Sequence, residues 1–323
     1  MIGDLDRILW RRLRVLVTGG AGFIGSHLVV ALLRRGADVR VLDNFSTGFR
    51  SNLAAVDGEF ELLEGDLRSY ERVHAAVRGC DAVLHQGALP SVPRSVQDPL
   101  TSSEINIGGT LNVLLTARDE SVRRVVVASS SSVYGDTPGL PRVETMAASP
   151  IAPYAVAKLA AEQYAVSFNR VYGLQTVALR YFNVFGPRQD PSSQYSAVIP
   201  KFIVALQQGQ APEIYGDGEQ SRDFTFIDDV VHANLLAIDA PDAAGRAFNV
   251  ACGQQRSLNE LMRALNRLLG TDIDAVHAPP RTGDVVHSLA DISLARRLLG
   301  YEPGVDFEDG LERTAHEYSA API

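Results

Sequence analysis

The sequence has 323 residues, of which 46% are hydrophobic and 21% are charged, and its formal net charge is −8. A chain of this length can form two lobes around a cleft, because single cores stop growing at roughly 250–300 residues. The negative charge argues against nucleic acid or an anionic membrane as the main partner. The two cysteines have no CxxC spacing and predict no disulfide framework.

The N-terminal segment carries acids before its basic cluster and has no continuous apolar region, so it does not resemble a secretory signal. Ile2, Leu5, Leu9 and Leu13 recur at roughly helical spacing and predict a short amphipathic helix. No run of about 20 apolar residues predicts a membrane span, and a cytoplasmic location is expected. The seven histidines have no partner at ligand spacing, so no metal site is expected.

The first predicted strand, Arg14–Thr18, runs directly into the glycine-rich stretch TGGAGFIG, after which a helix begins. Gly20, Gly22 and Gly25 have the spacing G-x-G-x-x-G of dinucleotide-binding loops. Such a turn places a pyrophosphate on the helix N-terminus, where unpaired N–H groups and the helix dipole favour an anion. A second frame, G-x-x-G-x-x-G, begins one residue earlier at Gly19, and spacing alone leaves both frames open.

The second predicted strand, ADVRVLD, ends in Asp43, where an acid can accept a hydrogen bond from the ribose of a dinucleotide. The strands FELLEG, DAVLHQG, RRVVVASS and TVALRYF follow, with helices around Tyr70–Val77, from about Ser102 to Arg118 and from Pro153 to Tyr172. Short β-branched runs that alternate with helices predict an α/β fold of the Rossmann type, a doubly wound and mostly parallel sheet.

In such sheets the ligand lies beyond the carboxyl ends of the strands. The predicted strands end at, or shortly before, Gly19, Asp43, Asp66, Gln86, Ser130 and Phe182. Residues 1–182 are therefore predicted to form the dinucleotide-binding domain, with later segments near 228–255 returning to it. Pro, Gly and Gln become more frequent after this point, and residues 183–323 are predicted to form mainly a smaller C-terminal α/β substrate lobe.

Tyr154 and Lys158 are four residues apart in a predicted helix and therefore share one face of it. An ammonium beside a tyrosine favours the phenolate, which predicts a lowered pKa and a role as general base. Tyr-x-x-x-Lys is common by chance. Downstream of a glycine loop and a serine-rich strand end, it predicts a catalytic pair.

The motifs TGGAGFIG, SSSSVYGD and Tyr154-x-x-x-Lys158 resemble the extended short-chain dehydrogenase/reductases, specifically the nucleotide-sugar epimerases related to UDP-galactose 4-epimerase. The similarity continues through LRYFNVFGPRQDP, AVIPKF, GDGEQSRDFTFIDDV and GDVVHSLADIS. It is greatest to the subgroup that acts on UDP-N-acetylhexosamines, and it favours the frame that begins at Gly19.

The resemblance implies bound NAD and a UDP-sugar substrate. It implies that Tyr154 is the acid/base, that Lys158 holds the nicotinamide ribose and that Ser130 binds the sugar 4-hydroxyl. The cofactor-binding residues it implies are Gly19, Gly22, Phe23, Ile24, Gly25, Asp43, Asn44, Ser46, Thr47, Gly48, Asp66, Leu67, Gln86, Gly87, Ala88, Asn106, Tyr154, Lys158 and Phe182. The substrate-binding residues it implies are Ser91, Ser130, Ser132, Tyr154, Asn183, Ala197, Val198, Tyr215, Arg222, Arg281, Asp284 and Ser288. Gly87 departs from the alanine that is commoner in this family.

The implied reaction inverts C4 through a transient 4-keto sugar, with no net oxidation or reduction. A 4,6-dehydratase carries an Asp-Glu pair after the residue matching Ser130, whereas this chain has Ser131 and Ser132. UDP-glucuronate epimerases tend to carry threonine at Asn183. UDP-glucuronate 4-epimerase and UDP-glucose 4-epimerase remain alternatives, and a non-enzymatic nucleotide sensor is disfavoured because Tyr154 and Lys158 are both present.

In family members confined to plain hexoses, a tyrosine stands at the position of Ser288. The serine predicts room for an N-acetyl group, and hence turnover of UDP-N-acetylglucosamine and UDP-N-acetylgalactosamine. The resemblance also implies a homodimer formed by the helices at Ser102–Arg118 and Pro153–Tyr172.

Overall fold

The fold is described from a computed structural model, which describes Trp10 and residues 13–191, 198–279 and 286–320. The strands are β1 (Arg14–Thr18), β2 (Asp38–Asp43), β3 (Glu61–Glu64), β4 (Ala82–His85), β5 (Arg124–Ser130), β6 (Thr176–Tyr181), β7 (Val184–Phe185), β8 (Glu213–Tyr215), β9 (Ser221–Arg222), β10 (Thr225–Phe226), β11 (Arg246–Val250), β12 (Arg256–Ser257) and β13 (Val276–Ala278). The helices are α1 (Phe23–Arg35), α2 (Arg50–Ala54), α3 (Tyr70–Val77), α4 (Val92–Gln97), α5 (Pro99–Ser103), α6 (Thr110–Asp119), α7 (Pro153–Tyr172), α8 (Val198–Gln207), α9 (Ile227–Asp239), α10 (Leu258–Leu269), α11 (Ser293–Leu299) and α12 (Phe307–Ala320).

A seven-stranded sheet in the order β11-β6-β5-β4-β1-β2-β3 forms the centre of the molecule, and all of its strand pairs are parallel. Its central strands are buried on both faces because helices cover both sides. The predicted Rossmann-type α/β fold is confirmed. Three two-stranded sheets, β7 with β10, β9 with β12 and β8 with β13, lie in the part of the chain after β6.

The strand β11 is the part of the later chain that returns to the central sheet. Its residues Arg246–Val250 pair in parallel with Val177–Tyr181 of β6. The helix α9 before it is buried along most of its length and packs against α1. The central sheet is therefore completed by a strand that follows a long excursion.

The helix predicted from about Ser102 to Arg118 differs in detail from the prediction. Helical structure begins earlier, at Pro99, where the side chain of Asp98 accepts a hydrogen bond from the backbone N–H of Thr101 at 3.0 Å. A π-helical segment, Glu104–Gly109, then precedes α6. A Cβ at Gly109 would lie 2.7 Å from the Cβ of Leu67, so the helix passes unusually close to the loop after β3.

Most of the amphipathic helix predicted near the N-terminus lies outside the described residues. Trp10 is buried, with 5% of its surface exposed, and it belongs to the main hydrophobic core. Leu13 packs against that core. Among the described residues, no helix is long and apolar enough to cross a membrane.

Candidate active site

The glycine loop between β1 and α1 is shaped by close approaches of backbone to backbone. Gly19 has φ +67°, and a Cβ there would lie 2.7 Å from the Cα of Gly87. A Cβ at Gly25 would lie 2.1 Å from the carbonyl oxygen of Gly19. Gly22 precedes Phe23, the first residue of α1, and that helix has neither a side-chain cap nor an acid in its first turn. Its first N–H groups are therefore available to an anion.

A cavity of about 670 Å³ lies at the carboxyl ends of the central strands. Most of the predicted cofactor-binding residues line it: Gly19, Gly22, Phe23, Ile24, Gly25, Asp43, Asn44, Ser46, Thr47, Gly48, Asp66, Leu67, Gln86, Gly87, Ala88, Tyr154 and Lys158. Ser91, predicted to bind substrate, lines the same cavity. The fold thus brings together predicted residues from five separate segments of the chain.

Two predicted cofactor residues, Asn106 and Phe182, lie behind this wall. The side chain of Asn106 accepts a hydrogen bond from the backbone N–H of Leu89 at 2.7 Å and donates to its carbonyl at 3.1 Å. Phe182 is 1% exposed, and its ring centroid lies 6.1 Å from that of Tyr134. Both residues support the cavity rather than line it.

Asp43 at the end of β2 is fixed by two backbone groups. Its carboxylate oxygens accept hydrogen bonds from the N–H groups of Ala21 and Phe45, both at 2.8 Å. Burial raises its pKa, and these hydrogen bonds oppose the rise. Each carboxylate oxygen retains a second lone pair, so Asp43 can still accept a hydrogen bond from a ribose hydroxyl.

His85 is a buried link below the cavity that sequence reasoning missed. The Thr110 hydroxyl donates to the carbonyl of Asn106 at 2.7 Å, so it must accept from Nε2 of His85 at 3.0 Å. Nδ1 of His85 then accepts from the Thr18 hydroxyl at 2.7 Å, and that hydroxyl oxygen accepts from the N–H of Gly87 at 3.1 Å. Burial lowers the pKa of His85 to about 3, so the ring is neutral. The chain of bonds joins the glycine loop to the loop after β4.

Tyr154 meets the serine-rich end of β5 inside the cavity. The Ser130 side chain interacts with the phenol of Tyr154 and favours the loss of its proton. The hydroxyl of Ser132 donates to that of Ser130 at 2.9 Å, and the backbone N–H of Ser132 donates to it at 3.2 Å. The backbone N–H of Tyr154 donates to the hydroxyl of Ser95 at 3.0 Å. The two serine hydroxyls thus form a hydrogen-bonded pair beside Tyr154.

The expected lowering of the Tyr154 pKa by Lys158 is wrong for this structure. Burial raises the pKa of Tyr154 to about 12, and the interaction with Ser130 only partly offsets the rise. The Nζ atom of Lys158 donates to the carbonyl of Ala128 at 2.9 Å and lies 5.9 Å from the centroid of the Tyr154 ring. Burial also lowers the pKa of Lys158 to about 8. Tyr154 and Lys158 therefore lie close together on one face of α7, but the ammonium does not hydrogen-bond to the phenol.

A buried ion pair lies one helical turn beyond Lys158. Glu162 accepts from Arg180 of β6 at 2.6 and 2.9 Å, and it also accepts from the hydroxyl of Ser129 at 2.7 Å. Arg180 donates a further bond to the hydroxyl of Tyr134 at 2.8 Å. This network fixes α7 against β5 and β6 beneath the predicted catalytic residues. Sequence reasoning missed it, although Glu162 stands four residues after Lys158 on the same face.

Gln86 is held by a second polar network at the cavity wall. Its amide nitrogen donates to the side-chain oxygen of Asn234 in α9 at 3.0 Å, and its oxygen accepts from the hydroxyl of Tyr181 at 3.2 Å. Burial raises the pKa of Tyr181, so this phenol is neutral and serves as a hydrogen-bond donor. The later chain therefore helps to build the first cavity.

A second cavity of about 280 Å³ lies between the small sheets of the later chain. Asn183, Val198, Tyr215 and Arg222, all predicted to bind substrate, line it. Asn183 has φ +34°, and its side-chain amide donates to the hydroxyl of Ser288 at 3.5 Å. The predicted residues Ala197, Arg281 and Asp284 lie outside the described residues.

The first cavity fits a dinucleotide. Its glycine loop leaves no room for side chains, its helix N-terminus is free of acids, and its adenosine end carries an acid at Asp43. An acid at this position accepts from a free ribose 2′-hydroxyl and repels a 2′-phosphate. The residues present therefore suit NAD.

The chain belongs to the NAD dependent epimerase/dehydratase family, whose model matches residues 15–251. It has the extended short-chain dehydrogenase/reductase fold, and its cofactor is NAD. The predicted family, enzyme class and cofactor are confirmed.

Three similar proteins illustrate the relationship. A UDP-glucose 4-epimerase of Mycolicibacterium smegmatis is 38% identical over 311 residues, which is 94% of this chain and 97% of that protein. The solved UDP-N-acetylglucosamine 4-epimerase of Methanobrevibacter ruminantium, in complex with UDP-N-acetylmuramic acid, is 41% identical, with a TM-score of 0.91 over 95% of this chain and 98% of that one. The UDP-glucose 4-epimerase of Thermus thermophilus, solved with NAD, is 38% identical, with a TM-score of 0.88 over 96% of this chain and 100% of that one.

Proposed function

We propose that this enzyme is a UDP-sugar 4-epimerase that interconverts UDP-N-acetylglucosamine and UDP-N-acetylgalactosamine. The observation that carries the proposal is the position of Tyr154, which lines the NAD cavity with Lys158, next to the serine-rich end of β5. A proton acceptor there can reach a sugar hydroxyl, and the second cavity offers a separate place for the nucleotide.

In the proposed reaction, Tyr154 takes the proton of the sugar 4-hydroxyl and later returns it to the 4-keto oxygen, and C4 is inverted because the hydride returns to its opposite face. Bound NAD supplies a hydride acceptor that gives the same hydride back, so the sugar passes through a 4-keto form without net redox change. Ser130 orients the 4-hydroxyl and relays the proton to or from Tyr154. Lys158, whose Nζ atom lies 5.9 Å from the centroid of the Tyr154 ring, would hold the nicotinamide ribose.

The keto sugar must turn over while its nucleotide stays bound. Arg222 lines the second cavity and carries a planar guanidinium suited to a diphosphate. Asn183 reaches the same cavity from the end of the central sheet. Residues 1–182, with the returning strand, would thus hold the cofactor, and the later chain would hold UDP.

A 4,6-dehydratase reaction is disfavoured by the groups beside Ser130. That reaction needs an additional acid and base, which are absent from these positions because Ser131 and Ser132 occupy them. The hydroxyl of Ser132 donates its hydrogen to Ser130. The serine hydroxyls can relay a proton, but they cannot replace the two carboxyl groups that serve a dehydratase as acid and base.

The preference for an N-acetyl sugar rests on Ser288. Its hydroxyl contacts Asn183, which lines the substrate cavity, so a larger side chain at this position would project towards Asn183. The similar proteins include both UDP-glucose and UDP-N-acetylglucosamine 4-epimerases, which makes the sugar the point to test.

The test is incubation of the purified holoenzyme with UDP-glucose, UDP-N-acetylglucosamine and UDP-glucuronate, with separation of the products by chromatography. The expected result is inversion of C4 in the N-acetyl sugar with a higher kcat/KM than for the plain hexose. A higher kcat/KM for UDP-glucose or UDP-glucuronate would overturn the substrate assignment. No inversion of any of the three would overturn the epimerase proposal.

We also propose that the enzyme is a homodimer. Val156, Tyr164 and Val171 are exposed on α7, and Leu100 is 69% exposed on the neighbouring α5. Spacings of eight and seven residues put the α7 side chains near one face of the helix. Exposed apolar side chains that cluster in this way are typical of a protein–protein interface.

A further inference from the structure

Arg188 lies in the NAD cavity, although it is not among the predicted cofactor-binding residues. It belongs to the GPRQDP segment that follows β7, and it lines the same cavity as Phe23 and Ile24 at the start of α1. It does not line the second cavity, where Arg222 lies. The fold therefore brings a cation from the later chain to the cofactor side of the molecule.

The segment that carries Arg188 is tied to the first turns of α1. The Nε2 atom of His27, four residues after Phe23, lies 3.0 Å from the carbonyl oxygen of Pro187. The side chain of Gln189 donates to the carbonyl of Val184 at 3.1 Å, and the hydroxyl of Tyr318 donates to the carbonyl of Gln189. These contacts fix the backbone on both sides of Arg188.

The backbone of Arg188 has an uncommon conformation. Its φ is +65°, in the left-handed region that non-glycine residues seldom adopt. Such strain persists where the surrounding contacts over-determine it, and it is common at ligand sites. Here the tethers to α1, β7 and α12 hold the strained residue beside the cavity.

The guanidinium of Arg188 is incompletely paired within the described part of the chain. Its NH1 atom is buried and has no hydrogen-bond partner there. The carboxylate of Glu317 raises the pKa of Arg188 and the more distant guanidinium of Arg34 lowers it, and no ion pair of Arg188 is found among the described residues. A buried cationic N–H group without a partner is costly, so an anionic ligand is the expected acceptor.

We propose that the Arg188 guanidinium binds the diphosphate of NAD, together with the N–H groups at the start of α1. The helix N-terminus supplies partial positive charge, and the arginine supplies a full charge with a planar set of donors. The loop between β7 and α8 would then help retain the cofactor that the Rossmann loops bind. This inference concerns the cofactor and does not depend on which sugar the enzyme uses.

Two competing acceptors for the Arg188 guanidinium predict different outcomes. The side-chain oxygen of Gln189 is also buried without a partner among the described residues, so a small rotation could pair it with Arg188 inside the protein. Alternatively, the diphosphate could be that of the UDP-sugar. Diphosphate recognition is common to both ligands, and separate binding measurements with NAD and UDP distinguish them.

The test uses Arg188→Met, which keeps a long side chain and removes the charge. The dissociation constant of NAD is measured by its release from the holoenzyme on dilution, and that of UDP by calorimetry on the NAD-loaded enzyme. A charge-assisted hydrogen bond corresponds to roughly 10- to 100-fold in affinity, so the dissociation constant of NAD is expected to rise by about that factor. That of UDP is expected to change less than about twofold, within the range of surface substitutions.

Arg34→Met is the matched control, because it removes a nearby positive charge that is exposed on the last turn of α1 and does not line the NAD cavity. Its NAD affinity is expected to match that of the unmodified enzyme. Arg188→Lys keeps the charge without the planar fork and is expected to be intermediate, and it serves as the test if the methionine variant does not fold. Equal NAD affinity in the Arg188 and Arg34 variants, or a loss confined to UDP, would overturn the proposal.

Discussion

The side-chain amide of Asn183 donates one hydrogen bond to the hydroxyl of Ser288 at 3.5 Å and another to the carbonyl of Asp223 at 3.2 Å. Asn183 lies two residues after the end of β6 at Tyr181, whereas the backbone N–H of Ser288 donates to the carbonyl of Ser221. The contact joins the central sheet to the later chain beside the second cavity, which Asn183 lines.

Replacing Ser288 with tyrosine is expected to abolish turnover of UDP-N-acetyl sugars and to spare UDP-glucose and UDP-galactose. A phenol ring would occupy the space beside Asn183, and an overpacked site relaxes only at a cost. The measurement is kcat/KM for both sugar pairs. Ser288→Ala is the control and should retain both activities, because it enlarges the space slightly. Equal loss of both activities in the tyrosine variant would remove Ser288 from substrate selection.

Tyr154→Phe is expected to lower kcat by roughly 10²–10⁴-fold, the usual contribution of a positioned acid/base. The ring remains, so the dissociation constant of the UDP-sugar should change little. Steady-state kinetics and calorimetry measure the two effects. Tyr164→Phe, on an exposed position of the same helix, is the matched control and should leave kcat unchanged. Near-normal kcat in the Tyr154 variant would contradict its role as the acid/base.

The enzyme as purified is expected to carry NAD and not NADP, because the Asp43 carboxylate would repel a 2′-phosphate. Asp43→Asn should weaken NAD binding and should also reduce the preference for NAD over NADP. An amide has one acceptor oxygen, whereas the N–H groups of Ala21 and Phe45 use both carboxylate oxygens. Chromatography of the released cofactor and binding titrations measure these effects. Asp57→Asn, at an exposed position, is the control. Release of NADP alone from the unmodified enzyme would contradict the prediction.

The neutral ring of His85 predicts a dependence of stability on pH. Its folded-state pKa of about 3 lies below the unfolded value near 6.5, so the unfolded state binds a proton first as the pH falls. The stabilisation is therefore complete above pH 6.5 and is lost progressively towards pH 3, at up to about 1.4 kcal/mol per pH unit. His27, whose pKa burial lowers to about 4, contributes in the same direction.

The check is the slope of the unfolding free energy against pH between 6 and 4.5, obtained from urea titrations. His85→Asn should have a shallower slope than the unmodified protein. The same substitution at exposed His316 controls for the loss of an imidazole. Identical slopes in the His85 variant and the unmodified protein would show that its ring is not kept neutral.

The homodimer proposal predicts that Val156→Lys combined with Leu100→Lys yields a monomer. Both side chains are exposed, at 49% and 69%, on neighbouring helices, and two charges there would have to be buried in the interface. Sedimentation velocity measures the mass in solution. Val276→Lys, at a 56% exposed position of β13, should remain dimeric. An unchanged mass in the double variant would place any interface elsewhere.

Local patterns in the sequence were sufficient to predict which strand ends surround the cofactor cavity. The glycine loop, the acid at Asp43 and the serine-rich strand end each follow a buried β-branched strand, and parallel strands bring their carboxyl ends to one edge. Their placement around one cavity follows from this rule. The boundaries of α7 were predictable for a similar reason, because Pro153 begins the helix and Gly173 ends it with φ +73°.

The sequence by itself determined the fold class, the cofactor loop and the Tyr154–Lys158 face, because these depend on spacings within one or two elements. Only the tertiary structure decided the pKa values of the site residues and the contacts that hold those residues in place. Burial raised the Tyr154 pKa where helix spacing predicted a decrease, since desolvation depends on everything packed around the phenol. The roles of His85 and Arg188 likewise depend on partners distant in the sequence, Thr18 and the first turns of α1, which no local pattern identifies.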